Sequence, residues 1–323
     1  MKSSMVKMFR TALGITAFLF VGCSQKNGSP VSPIPGGASY SAPTTLGYLT
    51  QWGSVGAQTG QFDGDWGVAV DAAGNVYVAD GLNNRIQKFK ASGEYMTSWG
   101  GPGAGNGALN NPTGVALDPS GNVFVTDSGR NRIEEFTASG SYLAQWDGGT
   151  LGGFLVAIAV DASDNVYVSD FSNHVIKKFN VPGGPATQWG TKGAQNGQLT
   201  YPVGVAVDGR GNLFVADAGN NRIQEFTGEG DYLTQWGGTG NLNGQFNWPY
   251  GVATDSTGHV FVVDEDNNRV QKFDGSGAYM TQWAGDWKAS DQFDMPAGIA
   301  VASSGDVYVT DTGNNRILVL QPK

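Results

Sequence analysis

From about residue 46 onward, short apolar runs alternate with turn residues. The stretch GVAVD at 67–71 is almost continuously apolar, and after a DxxGN turn so is NVYVAD at 75–80. A loop of four or five residues leads to RIQKF at 85–89, where Ile and Phe alternate with Gln and Lys. An SG turn then leads to YMTSW at 95–99. The first two runs have the pattern of strands buried between neighbouring sheets. The third alternates as an outer strand does.

This four-strand unit repeats. VYVADGLNNRIQKF (76–89) recurs as VFVTDSGRNRIEEF (123–136), VYVSDFSNHVIKKF (166–179), LFVADAGNNRIQEF (213–226), VFVVDEDNNRVQKF (260–273) and VYVTDTGNNRILVL (307–320). The anchoring acids Asp80, Asp127, Asp170, Asp217, Asp264 and Asp311 are spaced by 47, 43, 47, 47 and 47 residues. A period in the forties with β-branched strands predicts propeller blades of four strands. The fourth strand ends in turn at Trp52, Trp99, Trp146, Trp189, Trp236 and Trp283. The first of these, Tyr48–Trp52, precedes the first complete unit, and the last unit stops after its third strand. The expected fold is therefore all-β: a six-bladed β-propeller of four-stranded antiparallel blades over 46–321. An N-terminal outer strand closes it by pairing with the C-terminal blade and covers an edge that would otherwise be open.

Composition agrees and narrows the partners. Of 323 residues, 50 are Gly, which favours many tight turns, and 40 % are hydrophobic, enough for a packed core. Basic residues number 19 against 28 acidic, a net charge of −9. Without Lys2, Lys7 and Arg10 the balance is 16 against 28, or −12. Such a body repels a polyanion, so nucleic acid is not an expected partner. The single cysteine excludes an internal disulfide and a thiolate zinc cluster.

The N-terminal segment reads as an address. Three cations in residues 1–10 precede the apolar run TALGITAFLFVG at 11–22, which is too short to span a bilayer but has the length of a signal-peptide core. Val21-Gly22-Cys23-Ser24 resembles the lipobox of bacterial lipoproteins, with Phe20 where Leu is usual. That resemblance implies a lipoprotein signal at 1–22, acylation at Cys23, and export to the cell envelope. Ser24, in place of a retention Asp, points to the outer membrane. Residues 23–45, rich in Ser, Pro and Gly, read as a tether to the propeller at 46–321. The membrane is then met through the lipid alone, and the body is expected to be a monomer.

The repeated unit P-x-G-V-A-V-D…G-N-V-Y-V-A-D-x-x-N-N-R-I-Q-x-F resembles the NHL repeat across all six units. The resemblance implies a six-bladed propeller whose broad faces bind protein, RNA or peptide according to the member. Some relatives are lyases with His-rich metal sites in the channel. Here His174 and His259 stand alone in different blades, which does not support that chemistry.

The repeated residues read as structural. Asp80/Arg85 recurs as Asp127/Arg132, Asp217/Arg222, Asp264/Arg269 and Asp311/Arg316. Repeated copies of one acid–base pair fix loops or stitch blades instead of forming one active site. The Trp ending each fourth strand reads as filler between blades. His259 takes the Asn position of a turn.

Departures from the repeat carry the candidate chemistry. The connections into the first strand and the loops between second and third strands share one face, here called the top. Trp66, Trp248 and Trp287 all fall in these connections. The residue before the first-strand Gly should line the channel mouth: around the ring it is Trp66, Thr113, Val156, Val203, Tyr250 and Ala297, so a small Ala297 lies between two aromatics. The same sector holds Asp63, Asp65, Glu265, Asp266, Asp286, Asp291 and Asp294, and Asp65 replaces the Pro found at 112, 202, 249 and 296. An aromatic floor with a carboxylate rim would stack sugar rings or hold cations. In the third unit His174 and Val175 replace Asn and Arg, and Phe171 enters the loop. With Arg130, these form a second, less acidic top patch.

These features predict a non-catalytic binding module that presents its top face to a protein, peptide or glycan. The alternative is a lyase or hydrolase with a divalent cation at the channel. The channel-facing Val68, Val70, Val115, Val205 and Val252 offer such an ion no ligand, no Ser-His-Asp set or HExxH is visible, and no cofactor is expected.

Overall fold

The computed structural model describes residues 48–146, 153–180, 187–284 and 292–321. The chain divides into two units, Met1–Thr45 and Leu46–Lys323, and the described residues lie in the second. They form six four-stranded antiparallel sheets. Five follow the chain: in blade 1 the strands are Asp65–Val70 (a), Val76–Asp80 (b), Arg85–Phe89 (c) and Tyr95–Gly100 (d). Blades 2 to 5 begin at Pro112, Leu155, Pro202 and Pro249. The sixth joins Pro296–Val301, Val307–Asp311 and Arg316–Leu320 to the N-terminal Tyr48–Trp52. Tyr48 faces Leu320 and Trp52 faces Ile317, so the ring closes as its strand count requires.

Each blade is glued to the next by aromatics. Trp99 of blade 1 lies 6.1 Å from Tyr77 of its own blade and 6.1 Å from Phe136 of the next. Trp52 repeats this across the closure, at 6.2 Å from Tyr308 and 5.9 Å from Phe89. Gly140 seats Trp99: a Cβ there would strike the indole, and its φ of 90° suits only glycine. The strand-a glycine has a different cause. A Cβ on Gly251 would collide with the carbonyl oxygen of Ala297, and one on Gly298 with that of Trp66, so neighbouring a strands approach backbone to backbone at the top of the channel. Hydroxyls bridge the same gap. Thr310 accepts from Gly298 N–H at 2.7 Å and donates to Trp66 O at 2.9 Å, and Thr126 and Ser169 act alike in blades 2 and 3.

Strand c departs from expectation. It is an inner layer, with Gln87, Gln224 and Gln271 wholly buried. Strand d covers its edge and the adjacent blades cover its faces. Most of its polar residues are retained by partners: Gln87 Nε2 donates to Asp80 at 3.0 Å and to Gln61 O at 2.7 Å, while Lys88 Nζ lies over the Tyr77 ring at 4.7 Å.

Candidate functional site: the top face

The top face is assembled by the strand-b aspartates. Asp80 accepts Asp63 N–H at 2.9 Å through one oxygen and Arg85 Nε at 2.7 Å through the other, and Arg85 reaches on to the carbonyls of Gln58 and Gln61. The same carboxylate thus holds both the connection into strand a and the arginine that braces it. Asp127, Asp217, Asp264 and Asp311 repeat the bond to Arg132, Arg222, Arg269 and Arg316 at 2.7–3.0 Å. Burial pushes the carboxyls of Asp80, Asp217, Asp264 and Asp311 up, and these hydrogen bonds oppose the shift.

Blade 3 solves the same problem with other residues. Val175 replaces the arginine, and Lys177, in the place of Gln87, pairs with Asp170 at 2.8 Å. His174 keeps the function of the asparagine it replaces. In other blades that asparagine accepts a backbone N–H from the next blade: Asn84 from Asn111 at 2.9 Å, Asn221 from Trp248 at 2.7 Å, Asn268 from Met295 at 2.9 Å. His174 Nδ1 accepts Tyr201 N–H at 3.0 Å, which puts its proton on Nε2. Burial, with Lys192 nearby, holds its pKa down. Arg130 bonds Asp127 and Ala108 O, both at 2.8 Å. The second patch is therefore largely bound up in the fold.

The channel mouth differs from the expected open floor. Ala297 and Val203 are each 1 % exposed, and Val156 and Thr113 are also buried. Trp66 and Tyr250, both half-buried, stack with centroids 6.2 Å apart and planes within 21°. Ala297 is small enough for blades 5 and 1 to meet in this way across blade 6. The rim is also reassigned. Asp63, Asp266 and Asp294 are exposed, whereas Asp65 is 0 % and Glu265 2 % exposed. Neither oxygen of Asp65 has a hydrogen-bond partner, and burial, with Asp311, Asp80 and Asp63 nearby, pushes its pKa well above the usual carboxylate range. Burial and the Glu265 carboxylate likewise raise the Tyr250 phenol. Trp287, Asp286 and Asp291, like Cys23, lie outside the described residues.

What the top presents is a band of rings. Phe171 lies 4.8 Å from Tyr201, Tyr201 lies 6.3 Å from Trp248, and Trp248 and Tyr250 join one cluster over Val156 and Val203. Tyr250 continues to Trp66. All five residues are partly exposed, with the Trp66 indole N–H turned into the protein. Tyr201 (φ 52°) and Trp248 (φ 59°) hold the left-handed conformation, an outlier for bulky residues that costs about 1–3 kcal/mol. From sequence, Tyr201 reads as packing at a position it shares with Trp248 and Met295, not as a site residue. The signal was present in its shared position with Trp248 before a Pro.

The channel wall and its other end carry different chemistry. Val68, Val115, Ile158, Val205, Val252 and Ile299 line the wall, each nearly buried. At the bottom a recess of about 620 Å³ lies among Val70, Leu117, Val160, Val207 and the a–b turns. The acids there serve their own turns: Asp71 accepts Ala73 and Asn75 N–H and the Asn75 amide at 2.8–3.0 Å. His259, in the equivalent turn of blade 5, bonds Asp255 at 2.8 Å. Among the described residues no group of three or more His, Cys, Asp or Glu is arranged to hold a metal ion.

The NHL repeat model matches residues 66–89, 109–136, 199–226, 246–273 and 293–320. These are blades 1, 2, 4, 5 and 6. Blade 3, with its substituted histidine, valine and lysine, folds alike but is not matched. Among curated proteins none matches the chain. Solved structures share the fold. A protein of unknown function from Bacteroides thetaiotaomicron superposes with a TM-score of 0.68 at 19 % identity, over 85 % of this chain and 76 % of that one. A virginiamycin B lyase from Staphylococcus aureus, with quinupristin, gives 0.59 at 16 %, over 80 % of each chain. Regucalcin, a calcium-binding protein from Agrobacterium tumefaciens, gives 0.61 at 13 %, over 87 % and 96 %. At these identities the likeness is one of fold alone.

Proposed function

Starting from a six-bladed propeller five of whose blades match the NHL repeat, we propose that it is a non-catalytic binding module, tethered at the bacterial envelope through Cys23, that presents its top face to a protein, peptide or glycan. The observation that carries this reading is the band Phe171–Tyr201–Trp248–Tyr250–Trp66, partly exposed and held in part by left-handed backbone. Blade packing alone does not call for bulky aromatics at positions that cost backbone energy. Asn111 and Met295 fill the equivalent place in blades 2 and 6, so the position itself does not require a ring. Aromatic rings kept at a surface supply contact area with little side-chain entropy to lose, the property of binding anchors.

A calorimetric screen of peptides and oligosaccharides against the wild type, Trp66→Ala and Tyr250→Ala tests it. Each substitution should weaken the ligand by roughly 1–3 kcal/mol. Trp66→Ala should change melting least, since its ring contact is the one stacked pair, whereas Tyr250→Ala also gives up packing over Val156 and Val203. Trp189→Ala, between Tyr167 and Phe226, should destabilise by about 3–5 kcal/mol. A ligand that binds all three proteins alike would place the site elsewhere. A Trp66→Ala protein as unstable as Trp189→Ala would make Trp66 core.

A further inference from the structure

The aromatic band does not lie in a neutral surface. The top-face guanidinium groups of Arg85, Arg132, Arg222, Arg269 and Arg316 are each spent on a strand-b aspartate at 2.7–3.0 Å. Arg130 and Lys177 are spent in the same way, each at 2.8 Å. Among the described residues, the exposed ionisable groups in the top connections of blades 5, 6 and 1, which carry Tyr250 and Trp66, are Asp63, Asp266 and Asp294; the exposed Lys192 lies on the other side, near His174. Glu265 lies beneath, close enough to Tyr250 to raise its phenol. Asp65, next to Trp66 in the chain, is a buried acid with neither oxygen partnered, where four blades have Pro. A stacked aromatic pair flanked by exposed carboxylates suits a cation: ring faces attract it, and Asp63, Asp266 and Asp294 can pair with it.

We propose that the Trp66–Tyr250 sector takes a basic segment, bearing arginine or lysine, of a partner protein. The proposal rests on the top-face reading and narrows it, since the uncharged CH faces of a glycan would use the rings and leave the acidic field unanswered. The net charge of −9 adds long-range attraction for such a segment.

The test titrates the full chain with hexa-arginine and, separately, with neutral chitohexaose, followed by calorimetry and tryptophan fluorescence. Hexa-arginine should bind. Its affinity should fall more than about tenfold between ionic strengths of about 0.01 M and about 1 M, over which the screening length shrinks from about 30 Å to about 3 Å. The double substitution Asp63→Asn/Asp294→Asn removes two exposed charges and leaves their backbone bonds to Asp80 and Asp311 in place. It should weaken the peptide about tenfold with an unchanged melting temperature. Chitohexaose binding that is lost in Trp66→Ala, with no hexa-arginine binding, would overturn the basic segment but keep the top face as the site. Peptide binding that is indifferent to both Trp66→Ala and the double substitution would overturn both readings. Failure of both probes, or salt-independent peptide binding, would also overturn the basic segment.

Discussion

Glu134 holds the strand-c position that Gln87, Gln224 and Gln271 hold in three other blades. There the amide donates to the strand-b aspartate and to a loop carbonyl. A carboxylate cannot donate, and Glu134 is wholly buried beside Arg132 and Asp127. Burial raises its pKa to about 7, and Arg132 offsets only part of that. An acid raised in the folded state leaves stability undiminished below its unfolded value. Stability is then lost as pH rises through the folded value. Glu134→Gln should therefore melt like the wild type near pH 4 and gain about 1–3 kcal/mol by about pH 8. Melting curves across that range check it, and a gain that is equal at both ends would show that ionisation is not the cause.

At the scale of the strand and loop, blade 3 shows how a repeat drifts without losing its fold. Removing the arginine is tolerated because Lys177 supplies the charge for Asp170 from the next inward position. Lys177→Gln alone should cost about 3–5 kcal/mol, because it leaves a buried carboxylate without a cation. Val175→Arg with Lys177→Gln should return to within about 1 kcal/mol of wild type, since Gln188 stands where Gln235 meets Arg222 in blade 4. Chemical denaturation of the two proteins gives the comparison. If the double variant is no better than the single, the pairing is not what holds this loop.

For the whole molecule, closure is the decisive contact. Deleting 46–53 removes Tyr48–Trp52 from blade 6, bares the edge of Arg316–Leu320 and takes away Trp52, which lies between Tyr308 and Phe89. The truncated body should melt lower or associate through that edge. A monomer with unchanged melting would contradict the observed pairing. The proposed attachment to the envelope would depend instead on a lipid at Cys23. Among the described residues no helix is long and apolar enough to cross a membrane. Cys23→Ser should move the protein from the membrane fraction to the soluble one, and a mutant that still partitions with detergent would end the lipoprotein reading.

The blade count, the strand order and the closing strand were legible in the sequence, because each rests on local pattern repeated at a fixed period: apolar runs, turn residues and a terminal Trp. The Asp–Arg geometry was legible for the same reason, since both partners lie within one hairpin. The channel mouth was not. The sequence places Trp66, Ala297 and Tyr250 in neighbouring blades. Only the closed ring shows that the two aromatics stack, that Ala297 is sealed, and that Asp65 and Glu265 are buried while Asp63, Asp266 and Asp294 face water. Strand c was misread as an outer strand because its polar alternation marks hydrogen-bond partners from loops about 26 residues away in the chain, not solvent. Burial depends on what the neighbouring blades bring, and that is settled by contacts between blades that no single repeat contains.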